Sequence, residues 1–167
     1  MAPASIEQLF AEFHEPLVRM LYRRTGDRDR AEDLAQEVFT RALITPPDNP
    51  RPWLFAVALN LVRDDGRRAV RQGRRLQLFK AESPAAARDP ADLYDEGERV
   101  ARAREALSAL REVDREVLLL KAEGFNYDEI AAATGLAKGA IGTTIARARR
   151  RLVEAYHARG EDRHVAS

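Results

Sequence analysis

Asp128-Glu129-Ile130-Ala131-Ala132-Ala133-Thr134-Gly135-Leu136-Ala137-Lys138-Gly139-Ala140-Ile141 is the stretch that decides the fold. Small and aliphatic residues stand on both sides of the turn Gly135-Leu136-Ala137, where glycine punctuates one helix and lets the next begin. This is the form of a helix-turn-helix, with a support helix from Tyr127 to Thr134 and a second helix from Lys138. On that second helix Ile141, Ile145, Ala148 and Leu152 recur at three- and four-residue steps and turn inward. Gly139, Thr143, Ala146, Arg147 and Arg150 then face outward. Such a helix presents its start to the major groove: small residues permit close approach, Thr143 reaches a phosphate or base edge, and the arginines suit phosphates. A plain helical hairpin with a solvated basic face fits the same spacing.

Upstream, Val113, Val117, Leu118 and Leu120 mark a helix ending near Gly124, and Val100, Ala103, Leu107 and Leu110 mark the one before it. These four helices form a unit over residues 98–157, followed by a tail at 158–167. Residues 73–97 lose the periodicity, hold Ser83-Pro84-Ala85-Ala86-Ala87 and Asp89-Pro90, and read as a linker with at most a helical turn. Residues 1–72 form a first unit of three helices. Ile6, Leu9, Phe10, Phe13, Leu17 and Leu21 line the first, which Pro16 is expected to bend or restart. Asp27 caps the second, which carries Ala31, Leu34, Ala35, Val38, Phe39 and Ala42 and stops at Thr45-Pro46-Pro47-Asp48-Asn49-Pro50. Pro52 suits the first turn of the third, whose buried stripe is Leu54, Val57, Ala58, Leu61 and Val62. With no strand-like alternation, the fold class is all-α: two small helical domains joined by a flexible linker.

The 167 residues are 45% hydrophobic and 33% charged, the balance of a soluble, charge-rich helical protein. There is no cysteine, which excludes disulfides, thiolate zinc sites and cysteine nucleophiles. No signal-like or membrane-spanning apolar run is present, so no membrane insertion and a cytoplasmic location are expected. A net charge of +1 conceals segregation: six bases and no acid from Gly66 to Lys80, an acidic stretch from Glu82 to Glu98, and bases alone from Lys138 to Arg151. Two basic stripes around an acidic connector suggest two contacts with a polyanion. His14, His157 and His164 lack spaced carboxylates, and Gly135 to Thr144 lacks the ending of a phosphate loop. No enzyme activity, cofactor or metal is expected.

Two faces of the first unit stand out. Trp53, Asn60, Arg63, Arg67 and Arg71 share one side of the third helix, where an aromatic can stack on an unpaired base and arginines can follow a phosphate backbone. The bland alternative makes Trp53 a core anchor and the arginines solvated. On the second helix Asp33, Gln36, Glu37, Thr40 and Arg41 form a polar face without cationic attraction for nucleic acid, which suits either a protein partner or solvent.

The blocks Asp33-Leu34-Ala35-Gln36-Glu37-Val38-Phe39 and Trp53-Leu54-Phe55-Ala56-Val57-Ala58-Leu59-Asn60, with Arg63-Asp64 and Arg67-Arg68, resemble the first conserved domain of extracytoplasmic-function (ECF) sigma factors of the sigma-70 family. Leu107 to Leu110, Arg115 to Leu120, Asp128 to Ala131 and Arg147 to Leu152 resemble the second. The resemblance implies an alternative sigma factor directing promoter recognition and DNA opening. It places Asp33, Gln36, Glu37, Phe39 and Arg41 against the beta-prime clamp of core RNA polymerase, with the beta subunit as a further contact. It assigns Asn49, Arg51, Trp53, Asn60, Arg63, Arg67 and Arg71 to the minus-10 element and its displaced single strand. Lys138, Gly139, Thr143, Thr144, Arg147 and Arg150 go to the duplex minus-35 element, and an anti-sigma factor is an expected partner. Family members often carry bases where this chain has Leu59, Gly142 and Thr144, which implies less cationic recognition elements. Two other readings stand beside it: a helix-turn-helix regulator that works without polymerase, and a sigma mimic that sequesters an anti-sigma factor.

Overall fold

Ser5 opens the first helix by a reciprocal cap: its hydroxyl accepts from the Gln8 amide and its own amide donates to the Gln8 side chain. In the computed structural model, which describes residues 2–76 and 94–165, this helix, α1, spans Ile6–Thr25. It is followed by α2 (Arg28–Ile44), α3 (Pro50–Leu76), α4 (Tyr94–Ser108), α5 (Glu112–Ala122), α6 (Tyr127–Thr134) and α7 (Lys138–Val165), with no strand among the described residues. The helix does not restart at Pro16; α1 runs through it. Proline forfeits one backbone bond at a cost of about 3 kcal/mol. Fully burying Leu17, Met20 and Leu21 just beyond it offsets that, at about 1.5–3 kcal/mol each. Gly26 then ends α1 at φ +74°, and Asp27 caps α2 by accepting from the Arg30 amide at 3.1 Å.

The buried stripe of α2 is the one that its spacing predicts, Ala31 through Ala42. The stripe of α3 is wider. Leu54, Ala58 and Val62 are buried as expected, but Val57 and Leu61 are only partly covered, while Phe55 and Leu59 lie at 1% exposure. The cause is a second partner: α3 packs on α1 and α2 with one side and meets the second unit with another, where Phe55 sits edge-on to Phe125 at 4.7 Å between ring centroids. Leu59 is thus a core position, so its lack of charge removes nothing from the surface.

In the second unit Val117, Leu120, Phe125, Ile130, Ile141 and Ala148 have no exposed surface. Asn126 and Glu129 cap α6 reciprocally, and Gly135 closes it at φ +78°. The expected apolar face of α4 is displaced: Val100 is 46% exposed and Ala106 takes the core position instead. Helix also extends beyond the expected bounds. Residues 73–76 continue α3, 94–97 begin α4, and much of the expected tail belongs to α7. α4 holds this end of α7: the Arg102 guanidinium lies 4.0 Å from the Tyr156 ring centre with its Nε donating to the Tyr156 carbonyl at 2.7 Å, and within the extension Arg159 reaches Glu105 at 3.5 Å. The remainder of the expected linker, including Ser83 to Ala87, lies outside the described residues.

Candidate nucleic-acid and polymerase interface

The turn between α6 and α7 is locked by Thr134, whose hydroxyl donates to the Ile130 carbonyl at 2.7 Å and accepts from the Leu136 amide at 3.3 Å. It presents the first turns of α7 with Lys138, Gly139 and Thr143 exposed and open space around Gly139. Thr144 is not part of that face. It is 6% exposed, and its hydroxyl donates to the Ala140 carbonyl at 2.7 Å, so the inward stripe of α7 is wider than Ile141, Ile145 and Ala148 alone. A base there would enter the core. Gly142 lies against Tyr127, where an added Cβ would stand 3.5 Å from the ring.

Further along α7, Arg147 donates to Asp114 Oδ1 and Arg151 to Asp114 Oδ2, both at 2.9 Å. Asp114 of α5 is wholly buried. Burial opposes its ionisation, but the hydrogen bonds from Arg147, Arg111 and Arg151 outweigh this and hold its carboxyl below the ordinary range. Arg147 is therefore a half-buried structural cation rather than an outward-facing one. Arg149 and Arg150 are exposed and free to meet phosphates.

In the first unit the residues expected at the minus-10 strand are brought together, yet not left open. Asn49, Asn60, Arg67 and Arg71 are exposed, and Trp53 is partly buried against the core. Arg51 pairs with Glu129, donates to the Glu123 carbonyl at 3.0 Å and lies 4.2 Å from the centre of the Phe125 ring. Arg63 grips the carboxylate of Glu116 with two donors, reaches Glu112 at 3.3 Å and touches Asn60. These bonds, led by the one to Glu116, push the Arg63 guanidinium further up. Glu123, nearly buried, receives Arg19 at 2.6 Å and Arg23 at 3.1 Å. The second unit thus lays four carboxylates, on Glu112, Glu116, Glu123 and Glu129, over arginines of the first. Helical periodicity within either unit carries no signal for such pairs. The Asn126-to-Glu129 spacing announces a cap, not a partner for Arg51.

On α2, Asp33, Gln36, Glu37, Thr40 and Arg41 are exposed, and Arg41 pairs with Glu37 one turn away at 3.0 Å. Phe39 departs from that face: it is buried, with its ring 5.1 Å from Phe10, and supports the helix from behind. Exposed Leu43 and Ile44 extend α2 at its end, an apolar addition that the polar reading missed. Among the described residues no cluster of three or more ligating side chains could hold a metal, and no helix is long and apolar enough to cross a membrane.

Sigma-70 region 2 matches residues 9–72 and sigma-70 region 4 matches residues 101–152. The chain is 34% identical to the ECF RNA polymerase sigma factor EcfG of Rhodopseudomonas palustris over 139 residues, covering 77% of this chain and 72% of that protein. Two solved structures are similar at a TM-score of 0.63. The sigma factor RpoE in complex with the anti-sigma factor NepR from Bartonella quintana is 28% identical and covers 89% of this chain and 94% of its own. CnrH in complex with the cytosolic domain of CnrY is 29% identical and covers 92% and 88%. The chain belongs to the extracytoplasmic-function sigma factors of the sigma-70 family, alternative sigma factors of transcription initiation.

Proposed function

We propose that this factor divides its task among three surfaces, with core RNA polymerase supplying the catalysis and the chain supplying position and strand capture in the cytoplasm. The exposed side of α2, from Asp33 to Arg41 and continued by Leu43 and Ile44, docks on the polymerase clamp. The Asn49 to Arg71 side of α3 holds the displaced minus-10 strand, with Trp53 stacking on a base and arginines following the backbone. The start of α7, through Lys138, Gly139 and Thr143, enters the duplex minus-35 groove while Arg150 contacts phosphate. An anti-sigma factor is a further partner, in keeping with the complexes that RpoE and CnrH form.

The observation that carries this reading is the open first turn of α7 on one unit together with an arginine ladder beside an aromatic on the other. The test is reconstitution. The purified chain and core polymerase are expected to co-migrate and to yield promoter-dependent transcripts from genomic fragments. Duplex binding without polymerase association would instead mark an independent regulator. Failure to join polymerase at low ionic strength, free of inhibitor, would end the proposal.

A further inference from the structure

An open cleft of about 580 Å³ lies where α1, α3 and the α4–α5 corner meet. Among the described residues its wall carries Arg24, Arg63, Arg67, Arg71 and Arg115 with one carboxylate, Glu112, and a second, Glu116, stands behind Arg63. Arg63 is already neutralised by Glu116 and Glu112. Among the described residues, Arg24, Arg67 and Arg71 have no carboxylate within ion-pair distance. Arg115 donates one Nη to the Ser108 carbonyl at 3.2 Å, while its Nε is buried without a partner. A buried guanidinium nitrogen left unbonded is costly, and converging cations repel one another. Burial and the charge of Arg115 weaken protonation of Arg24, and burial weakens that of Arg115, in each case outweighing the carboxylates of Glu112 and Glu116. The site has more positive charge than its own protein groups balance.

We propose that this cleft binds a small anion of two or more linked phosphates, inorganic or as the phosphate chain of a nucleotide. Guanidinium forks match phosphate oxygens in pairs, and a concave wall of one sign concentrates its field on whatever enters. The volume suits a small molecule. A linked phosphate chain also fits better than a nucleic-acid strand, since it delivers several charges at one point beside Arg24 and Arg115. A strand would have to pass between the two units and across Glu112. The ligand touches α1 and α3 on one side and α5 on the other, so it bridges the units and favours the arrangement in which Glu116 and Glu129 hold Arg63 and Arg51. This inference rests on that closed arrangement and not on the assignment of promoter contacts.

The test uses the full chain in calorimetric titrations with pyrophosphate, tripolyphosphate and a nucleoside triphosphate, with sulfate at matched ionic strength and a short single-stranded oligonucleotide as separate arms. Saturable one-to-one binding of the linked phosphates is expected, with a raised unfolding temperature. Arg24→Gln and Arg115→Gln should each weaken it by about tenfold, the loss of one charge-assisted fork, while leaving oligonucleotide affinity in place. Arg115→Lys, which keeps the charge, checks that weakening is not a failure to fold. The proposal is overturned if linked phosphates bind no better than sulfate, if only the oligonucleotide binds, or if folded Arg24→Gln and Arg115→Gln proteins bind phosphates like the parent.

Discussion

Asp114 shows what a single buried charge does in the second unit. It joins α5 to α7 by accepting from Arg147 on one carboxylate oxygen and from Arg151 on the other. Asp114→Asn keeps the shape but removes the charge, and should lower stability by about 1–3 kcal/mol in urea unfolding. The pH dependence has a definite sign. The folded carboxyl has a pKa below the ordinary 3.8, so the folded chain binds fewer protons than the unfolded one in that window. The stabilisation is complete above about pH 4 and drains as pH falls through the lowered folded value. Asp114→Asn should flatten that acid-side decline; an unchanged decline would assign it to other carboxylates. The residue scale is also where the sequence misleads most. Thr144 and Leu59, which the resemblance marks as positions without an expected base, are both in the core here. A reading by resemblance counts them as missing surface charge because it does not see which neighbours cover them.

At the scale of elements, period and capping are enough to find most helices. The stripe of α2, the cap at Asp27 and the stop at Gly135 are all readable because they depend on neighbours three or four residues away. The face of α3 is not, since Phe55 is buried by Phe125 from the other unit, some seventy residues along. The same logic separates the arginines of α7. Arg150→Ala should weaken promoter binding and reduce the salt slope by about one, as expected for one lost phosphate contact. Arg147→Ala should instead lower the unfolding midpoint, because it leaves Asp114 under-satisfied. An unaltered slope for Arg150→Ala would remove it from the interface. On α2, Gln36→Ala with Glu37→Ala should weaken association with core polymerase in a pull-down while leaving helical circular dichroism intact. Both side chains are exposed, so their loss costs the fold little.

For the whole molecule, the arginines proposed for the open strand and the carboxylates of the second unit compete. Arg51 cannot serve a phosphate while it is paired with Glu129, nor Arg63 while it is clasped by Glu116. While both pairs hold, these two arginines are kept from the displaced strand, and the apparent affinity for that strand falls by the fraction that is open. The pairs differ in strength: Glu116 is 4% exposed opposite an Arg63 side chain at 28%, whereas Arg51 and Glu129 are both wetter. Partly exposed pairs contribute about 0–1 kcal/mol each, and removing one partner of a more buried pair costs more because the other charge is left uncompensated. Glu116→Gln combined with Glu129→Gln should therefore raise affinity for single-stranded promoter DNA by about 5- to 30-fold, with a larger radius of gyration in solution scattering. Removing two negative charges would by itself draw DNA closer, so Glu12→Gln with Glu154→Gln, on exposed positions of α1 and α7, serves as the matched control. If the control gains as much as the interface variant, or if the interface variant gains affinity without expanding, the pairs between the units do not gate the strand face.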